Sequence, residues 1–109
     1  MTKVTYYHKA DEVSVEITGH AGYAVEGSDI VCSAISMLIQ TLIAYMEACC
    51  KCEYSIKTAH VWMYAKGRDA QTALGVIMTG FWLLEQNYPE YLSINRGCAI
   101  QDKPSIDIT

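Results

Sequence analysis

The sequence predicts an α+β fold: a mainly antiparallel sheet of four or five strands with two helices on one face, in the order β-β-α-β-(β)-α-β. Three observations predict it. Short segments alternate apolar and polar residues, which is the period of a half-buried strand. Two longer segments repeat apolar residues every three or four positions, which is the period of a helix with one buried stripe. The chain has 109 residues and a hydrophobic fraction of 51%. That is enough for the core of one domain, residues 1–109, and leaves no room for two.

The elements follow in order. Val4 and Tyr6 alternate with Thr5 and Tyr7, and Val13, Val15 and Ile17 with Ser14, Glu16 and Thr18. A turn over His8-Lys9-Ala10-Asp11 joins the two runs into a hairpin. The segment 19–29 then breaks all periodicity with three glycines, Gly19, Gly22 and Gly27, and reads as a mobile loop. Ser28 and Asp29 are residues that cap helices, so the first helix is expected to start there. Its stripe is Ile35, Leu38, Leu42, Tyr45, Met46 and Cys49. From Glu53 to Lys66 strand chemistry returns. Tyr54 and Ile56 occupy even positions, and Val61, Met63 and Ala65 odd ones. One extra residue flips the faces of a strand, so a bulge or a tight hairpin is expected near Thr58 to His60. Asp69 is placed to cap a second helix with the stripe Ala70, Ala73, Leu74, Ile77, Phe81 and Leu84. Gly75 and Gly80 weaken that helix or admit a close neighbour. Pro89 ends it near Asn87. Tyr91 to Ile100 reads as a last strand, with Leu92 and Ile94 on one face, and Gln101 to Thr109 as an irregular tail.

The net charge is −4 and the pI about 5.2, with eight Lys and Arg residues scattered along the chain. A nucleic-acid-binding face is not expected. The apolar stretch Ile30 to Cys50 carries Ser33, Ser36, Gln40, Thr41 and Glu47, so a buried helix is expected there and no membrane partner. Met1 to Lys9 does not read as a targeting leader. The five cysteines, Cys32, Cys49, Cys50, Cys52 and Cys98, are odd in number, and three crowd together. Free thiols in a reducing cytoplasm are the expectation.

Two residues carry chemistry. His20 stands where a strand runs out into the glycine-rich loop. Cys32 follows the expected cap at Asp29 by three residues, which puts it in the first turn of the helix. A helix start favours a thiolate through its dipole and its unpaired N–H groups. An imidazole brought close takes the thiol proton and later protonates a leaving amine. The N–H groups of Cys32 and Ser33 are then positioned to hold an oxyanion. Taken alone, one cysteine and one histidine in a short chain also occur by chance, with the cysteine simply buried.

The run from Gly19 to Ser36 adds specificity. It has a Gly-His-Ala opening at 19–21, a glycine-containing loop, then Gly27-Ser28-Asp29-Ile30-Val31-Cys32 and a small-residue helix start with a second serine, Ser36. Twelve positions separate His20 from Cys32. This run resembles the signature of the ribosomal-processing cysteine protease family, Prp. The resemblance implies that His20 and Cys32 form the catalytic pair. It implies a substrate class too: a large-subunit ribosomal protein with a short hydrophobic N-terminal extension, cut near a pair of aromatic residues, or a phage capsid or scaffold protein. It also implies a homodimer and a mobile loop, Ala21 to Ser28, with Gly22 and Gly27 as hinges. Asp29 matches an acidic motif position and either orients His20 or caps the helix. Ser36, on the same helix face as Cys32, either lines the site or bonds back to its own helix. No metal or organic cofactor is expected.

Two other readings compete. The chain is a binding module that kept the fold and lost turnover, or a thiol-redox or metal protein using Cys49-Cys50-Lys51-Cys52. A zinc site wants four ligands, and Cys98 or His60 would have to complete it. His8 and His60 otherwise read as ordinary strand residues.

Overall fold

A computed structural model of the chain describes residues 1–19 and 26–97, without the side chains of residues 26–29 and 96. Seven elements follow in the expected order: β1 (Thr2–Lys9), β2 (Glu12–Thr18), α1 (Glu26–Cys49), β3 (Lys51–Lys57), β4 (His60–Lys66), α2 (Ala70–Asn87) and β5 (Leu92–Arg96). The five strands form one sheet in the order β3-β4-β2-β1-β5. The β1–β2, β2–β4 and β3–β4 pairs are antiparallel, and β1–β5 is parallel. The sheet is therefore mixed but mainly antiparallel.

Both hairpins turn in two residues. Lys9 faces Glu12 across Ala10-Asp11, and Lys57 faces His60 across Thr58-Ala59. The parity switch in the sequence is thus a tight hairpin, with Ile56 opposite Val61. Ala10 and Ala59 take φ of 55° and 64°. Such turns normally place Gly, Asn or Asp at positive φ, so neither hairpin shows the usual pattern in its sequence.

Alternation along the strands sends one set of side chains to the helices. Val13, Val15 and Ile17 of β2 and Met63 and Ala65 of β4 are buried there, under Phe81 and Met78 of α2 and Leu42 and Met46 of α1. The other face carries Ser14, Glu16, Trp62 and Tyr64, none of them fully buried.

Helix α1 departs from expectation in two ways. Its buried stripe is Val31, Ile35, Ile39, Leu42, Ile43 and Met46, while Tyr45 and Cys49 are exposed. At about 100° per residue, Met46 returns to within ~20° of Ile35, but Tyr45 lies ~80° away. Cys49 is the last helical residue, and its thiol donates back to the Tyr45 carbonyl at 3.1 Å. Helix α1 also starts at Glu26, so Gly27, Ser28 and Asp29 lie inside its first turn. The physical reason is that the first four N–H groups of a helix lack helical partners. Ser and Asp suit those positions as well as the cap, and the dipole favours acidic residues there. The stretch 30–49 is long and apolar enough to cross a membrane by length and composition. Here it lies on the sheet with its stripe buried.

Helix α2 matches its expected span. Asp69 stands at the N-cap without a side-chain cap bond, and the helix ends at Asn87. A Cβ at Gly75 would meet nothing within 4 Å, whereas one at Gly80 would lie 2.7 Å from a methyl of Leu38 on α1. Strand β5 is shorter than expected, and its expected continuation to Ile100 and the tail lie outside the described residues.

Candidate active site

Cys32 is the seventh residue of α1, on its second turn, and its side chain is exposed. The two residues that bracket it on the buried side, Val31 and Ile35, anchor the helix to the sheet. Beside Cys32 lies a cleft of about 250 Å³. Cys32 and Ser36 form one wall, Gly19 another, and Ile56 and Ala59 of the β3–β4 hairpin a third, over a floor of Ile17 and Ile35. Ser36 is exposed and one turn from Cys32, so it shares the cleft as its spacing predicts.

The position of Cys32 corrects the expected chemistry. In a helix that starts at Glu26, the N–H groups of Cys32 and Ser33 belong to the helical ladder and are not among the four unpaired ones. They are not free to hold an oxyanion. The dipole effect is concentrated in the first turn, so it acts on Cys32 less than expected. Ser33 is exposed and is not among the residues lining the cleft. The main chain of Asp29 stands one turn before Cys32. Gly27, expected in the loop, stands in the helix. His20, Gly22 and the rest of the expected mobile loop before Glu26 lie outside the described residues.

The strand that leads to His20 is described to its last residue. Gly19 takes φ 87° and donates its N–H to the Ala59 carbonyl at 3.0 Å. A Cβ on Gly19 would lie 2.5 Å from the Met1 carbonyl oxygen. The position therefore admits glycine alone, and it fixes where the chain leaves β2, at the edge of the cleft. In the sequence Gly19 reads only as a loop glycine and as part of the motif. The Met1 carbonyl that forbids a side chain becomes visible only in the fold.

The other two histidines differ in placement. His60, the first residue of β4, is among the residues lining the cleft, and its Nε2 is 2.7 Å from a Glu16 carboxylate oxygen. Strand parity explains the pairing: His60 and Glu16 are out of phase with the buried Val15, Ile17 and Met63, so both turn to the face away from the helices. His8 sits six residues along β1 from Thr2, about 20 Å from the cleft end of the sheet.

The other thiols among the described residues cluster at the opposite end of the sheet. The Cys49 and Cys50 sulfurs are 4.0 Å apart, and Cys52 faces Ala65 across the β3–β4 ladder. Burial pushes the Cys52 thiol up to about 11, helped by the Glu47 carboxylate. Burial, then a hydrogen bond with Cys49, raises Cys50. His60 is six residues along β4 from Lys66, so it cannot complete a metal site with these thiols, and Cys98 lies outside the described residues. Among the described residues, no three His, Cys, Asp or Glu side chains gather as metal ligands would.

Comparison with known proteins places the fold. No curated protein matches the chain. Among solved structures, the chain resembles the essential ribosomal processing protease Prp of S. aureus in complex with a covalently linked product peptide. That likeness has 20% identity, a TM-score of 0.77, and covers 89% of this chain and 100% of that one. The same S. aureus protease with a substrate peptide matches at 19% identity and a TM-score of 0.72, over 89% and 100%. SMU.848 of Streptococcus mutans matches at 26% identity and a TM-score of 0.72, over 88% of this chain and 96% of that one. The family model described as cysteine protease Prp matches residues 1–93. Element order and sheet agree with that match, and the chain belongs to the Prp family of cysteine proteases.

Proposed function

We propose that this cysteine protease removes a short hydrophobic N-terminal extension from a large-subunit ribosomal protein precursor, with Cys32 as nucleophile and His20 as its base. One observation carries the pairing. Gly19 and Cys32 line the same cleft, and His20 is the residue after Gly19. The imidazole is thus tethered within one residue of the thiol's cleft; His60 also lines that cleft but its ring is paired with Glu16, and His8 lies toward the other end of the sheet.

The mechanism follows from this tether. His20 takes the Cys32 thiol proton, and the sulfur attacks the scissile carbonyl. The imidazolium then protonates the departing amine as the C–N bond breaks. Water, deprotonated by the same imidazole, attacks the thioester and frees Cys32. The helical fixing of the Cys32 and Ser33 N–H groups shifts the weight of activation onto His20. The apolar floor of the cleft suits an apolar extension, and Asp29, about one turn before Cys32, and Ser36, one turn after it, are supporting residues. The protein acts in the cytoplasm as a homodimer. The exposed apolar residues Met37, Tyr45, Val76 and Leu83 on the helices, beside a groove of about 350 Å³, support such an interface.

The test is cleavage of a peptide carrying a hydrophobic extension with a Phe-Phe pair. The wild type should cut it, and Cys32→Ser and His20→Ala should each lose about a thousandfold or more in kcat/KM. If the wild type leaves the peptide intact while Cys32 reacts rapidly with iodoacetamide near neutral pH, the dyad stands and the substrate is another protein. If Cys32 reacts like an ordinary thiol, the dyad is wrong.

A further inference from the structure

Strand β3 is an edge of the sheet among the described residues. Its register determines which of its main-chain groups remain unpaired. Lys57 and His60 flank a two-residue turn, and such a pair exchanges both N–H···O bonds. Counting back in twos, Ser55, Glu53 and Lys51 bond to β4 in the same way. The β1–β2 hairpin gives the same parity from the other side. Its closing pair, Lys9 and Glu12, turns the even residues of β2 toward β1 and the odd ones toward β4. The bond from Gly19 to Ala59 falls on that odd series. The N–H and C=O groups of Ile56, Tyr54 and Cys52 therefore point away from β4, along the edge. Ile56 also lines the Cys32 cleft, and its side chain is 51% exposed.

We propose that this edge is a docking rail for the substrate main chain: an extended peptide segment adds to β3, bonds to the outward groups of Ile56 and Tyr54, and runs from there into the cleft beside Cys32. The proposal rests on the reading of Cys32 as nucleophile and names what the site takes beyond side-chain identity. The ligand class is an extended, unstructured segment, since a helix or a strand paired on both sides has no free main-chain groups to offer. A flexible terminal extension meets that requirement and the folded body of the same protein does not. Continuity with the cleft selects this edge, because Ile56 belongs to both. Lys51, Glu53 and Lys57 charge the strand, which discourages edge-to-edge pairing between copies while leaving it open to one short peptide.

The experiment uses the full chain. Proline is tolerated on an edge strand where its N–H would face outward, so Ile56→Pro removes the outward donor and spares the ladder to β4. Ile56→Ala removes the same side chain and keeps the donor. With the Phe-Phe peptide, Ile56→Pro should raise KM about tenfold or more over Ile56→Ala, at an unchanged rate of Cys32 alkylation by iodoacetamide. In the wild type, single N-methylation of successive peptide amides should weaken cleavage at alternate positions only. Equal KM for the two variants, or N-methyl effects without that alternation, overturns the rail while leaving the peptidase standing. If circular dichroism shows Ile56→Pro unfolded, the N-methyl series on the wild type decides alone. Alkylation of wild-type Cys32 at the rate of an ordinary thiol overturns the peptidase and the rail together.

Discussion

Gly19 directly follows β2, just before the proposed base, under two constraints that act together. Its φ of 87° lies in the left-handed region, and a Cβ there would sit 2.5 Å from the carbonyl oxygen of Met1. The atoms it would meet are main-chain atoms of Met1 and Thr2, so there is no flexible side chain to yield. Gly19→Ala should cost about 1–3 kcal/mol in urea unfolding. It should also lower kcat/KM more than that loss of folded protein explains, because the next residue is the proposed base. Gly19→Ala at full activity would show that the exit from β2 does not position His20. At this scale the placing of Cys32 and Ser36 on one cleft was legible in the sequence, because helical spacing carries it, while His20 lies outside the described residues. The role of Gly19 was not legible, since its constraint comes from a residue eighteen positions away (19 − 1) that only the β1–β2 pairing brings close. The bonded state of the Cys32 N–H was misread for a related reason. Ser28 and Asp29 suit both a cap and a first turn, and sequence alone cannot say which they occupy.

The helices show what one side chain does in open or filled space. Gly75 and Gly80 are both interior to α2, and glycine there costs about 0.5–1 kcal/mol relative to alanine. Gly75→Ala adds its methyl to open space and should recover that amount. Gly80→Ala adds a methyl 2.7 Å from the end of Leu38, which must rotate away, so the gain should be reduced or lost. Chemical denaturation of the two variants separates them, and equal gains would mean that Leu38 moves freely. Phe81, fully buried between α2 and the sheet, is the opposite case, and Phe81→Ala should cost about 3–5 kcal/mol. The strands and the end of α2 were legible because period-two alternation and Pro89 each have one structural meaning. The α1 stripe was partly misassigned because nearly every residue from Ile30 to Met46 is apolar or small, so many faces look plausible. The sheet itself chose Ile39 and Ile43 over Tyr45.

For the whole molecule, the titrating groups point one way in pH. Cys50, Cys52, Tyr45, Tyr54 and Tyr64 all hold their protons more tightly in the fold than when free. For Cys50, Cys52 and Tyr64 the first cause is burial, for Tyr54 a hydrogen bond with Glu47, and for Tyr45 a hydrogen bond with Cys49. Each group is neutral when protonated, so folding favours the neutral form. Below the free cysteine value of 9.0 the folded and unfolded chains bind these protons alike, and this contribution to stability is complete. As pH rises past 9.0 the unfolded thiols ionise while Cys52 holds out to about 11, and the contribution is progressively lost. Thermal midpoints should therefore be level from pH 7 to about 8.5 and fall above it. Cys50→Ser/Cys52→Ser should flatten the part of the fall nearest pH 9, because serine does not titrate there. A midpoint that stays level or rises to pH 10.5 would contradict the assignment of these shifts. The same variant, combined with Cys49→Ser, bears on function. These thiols lie at the end of the sheet away from the Cys32 cleft, so the triple variant should cleave the Phe-Phe peptide within about twofold of the wild type, since sites this far apart act additively. A large loss of turnover, with the fold intact, would move the reacting thiol from Cys32 to this cluster.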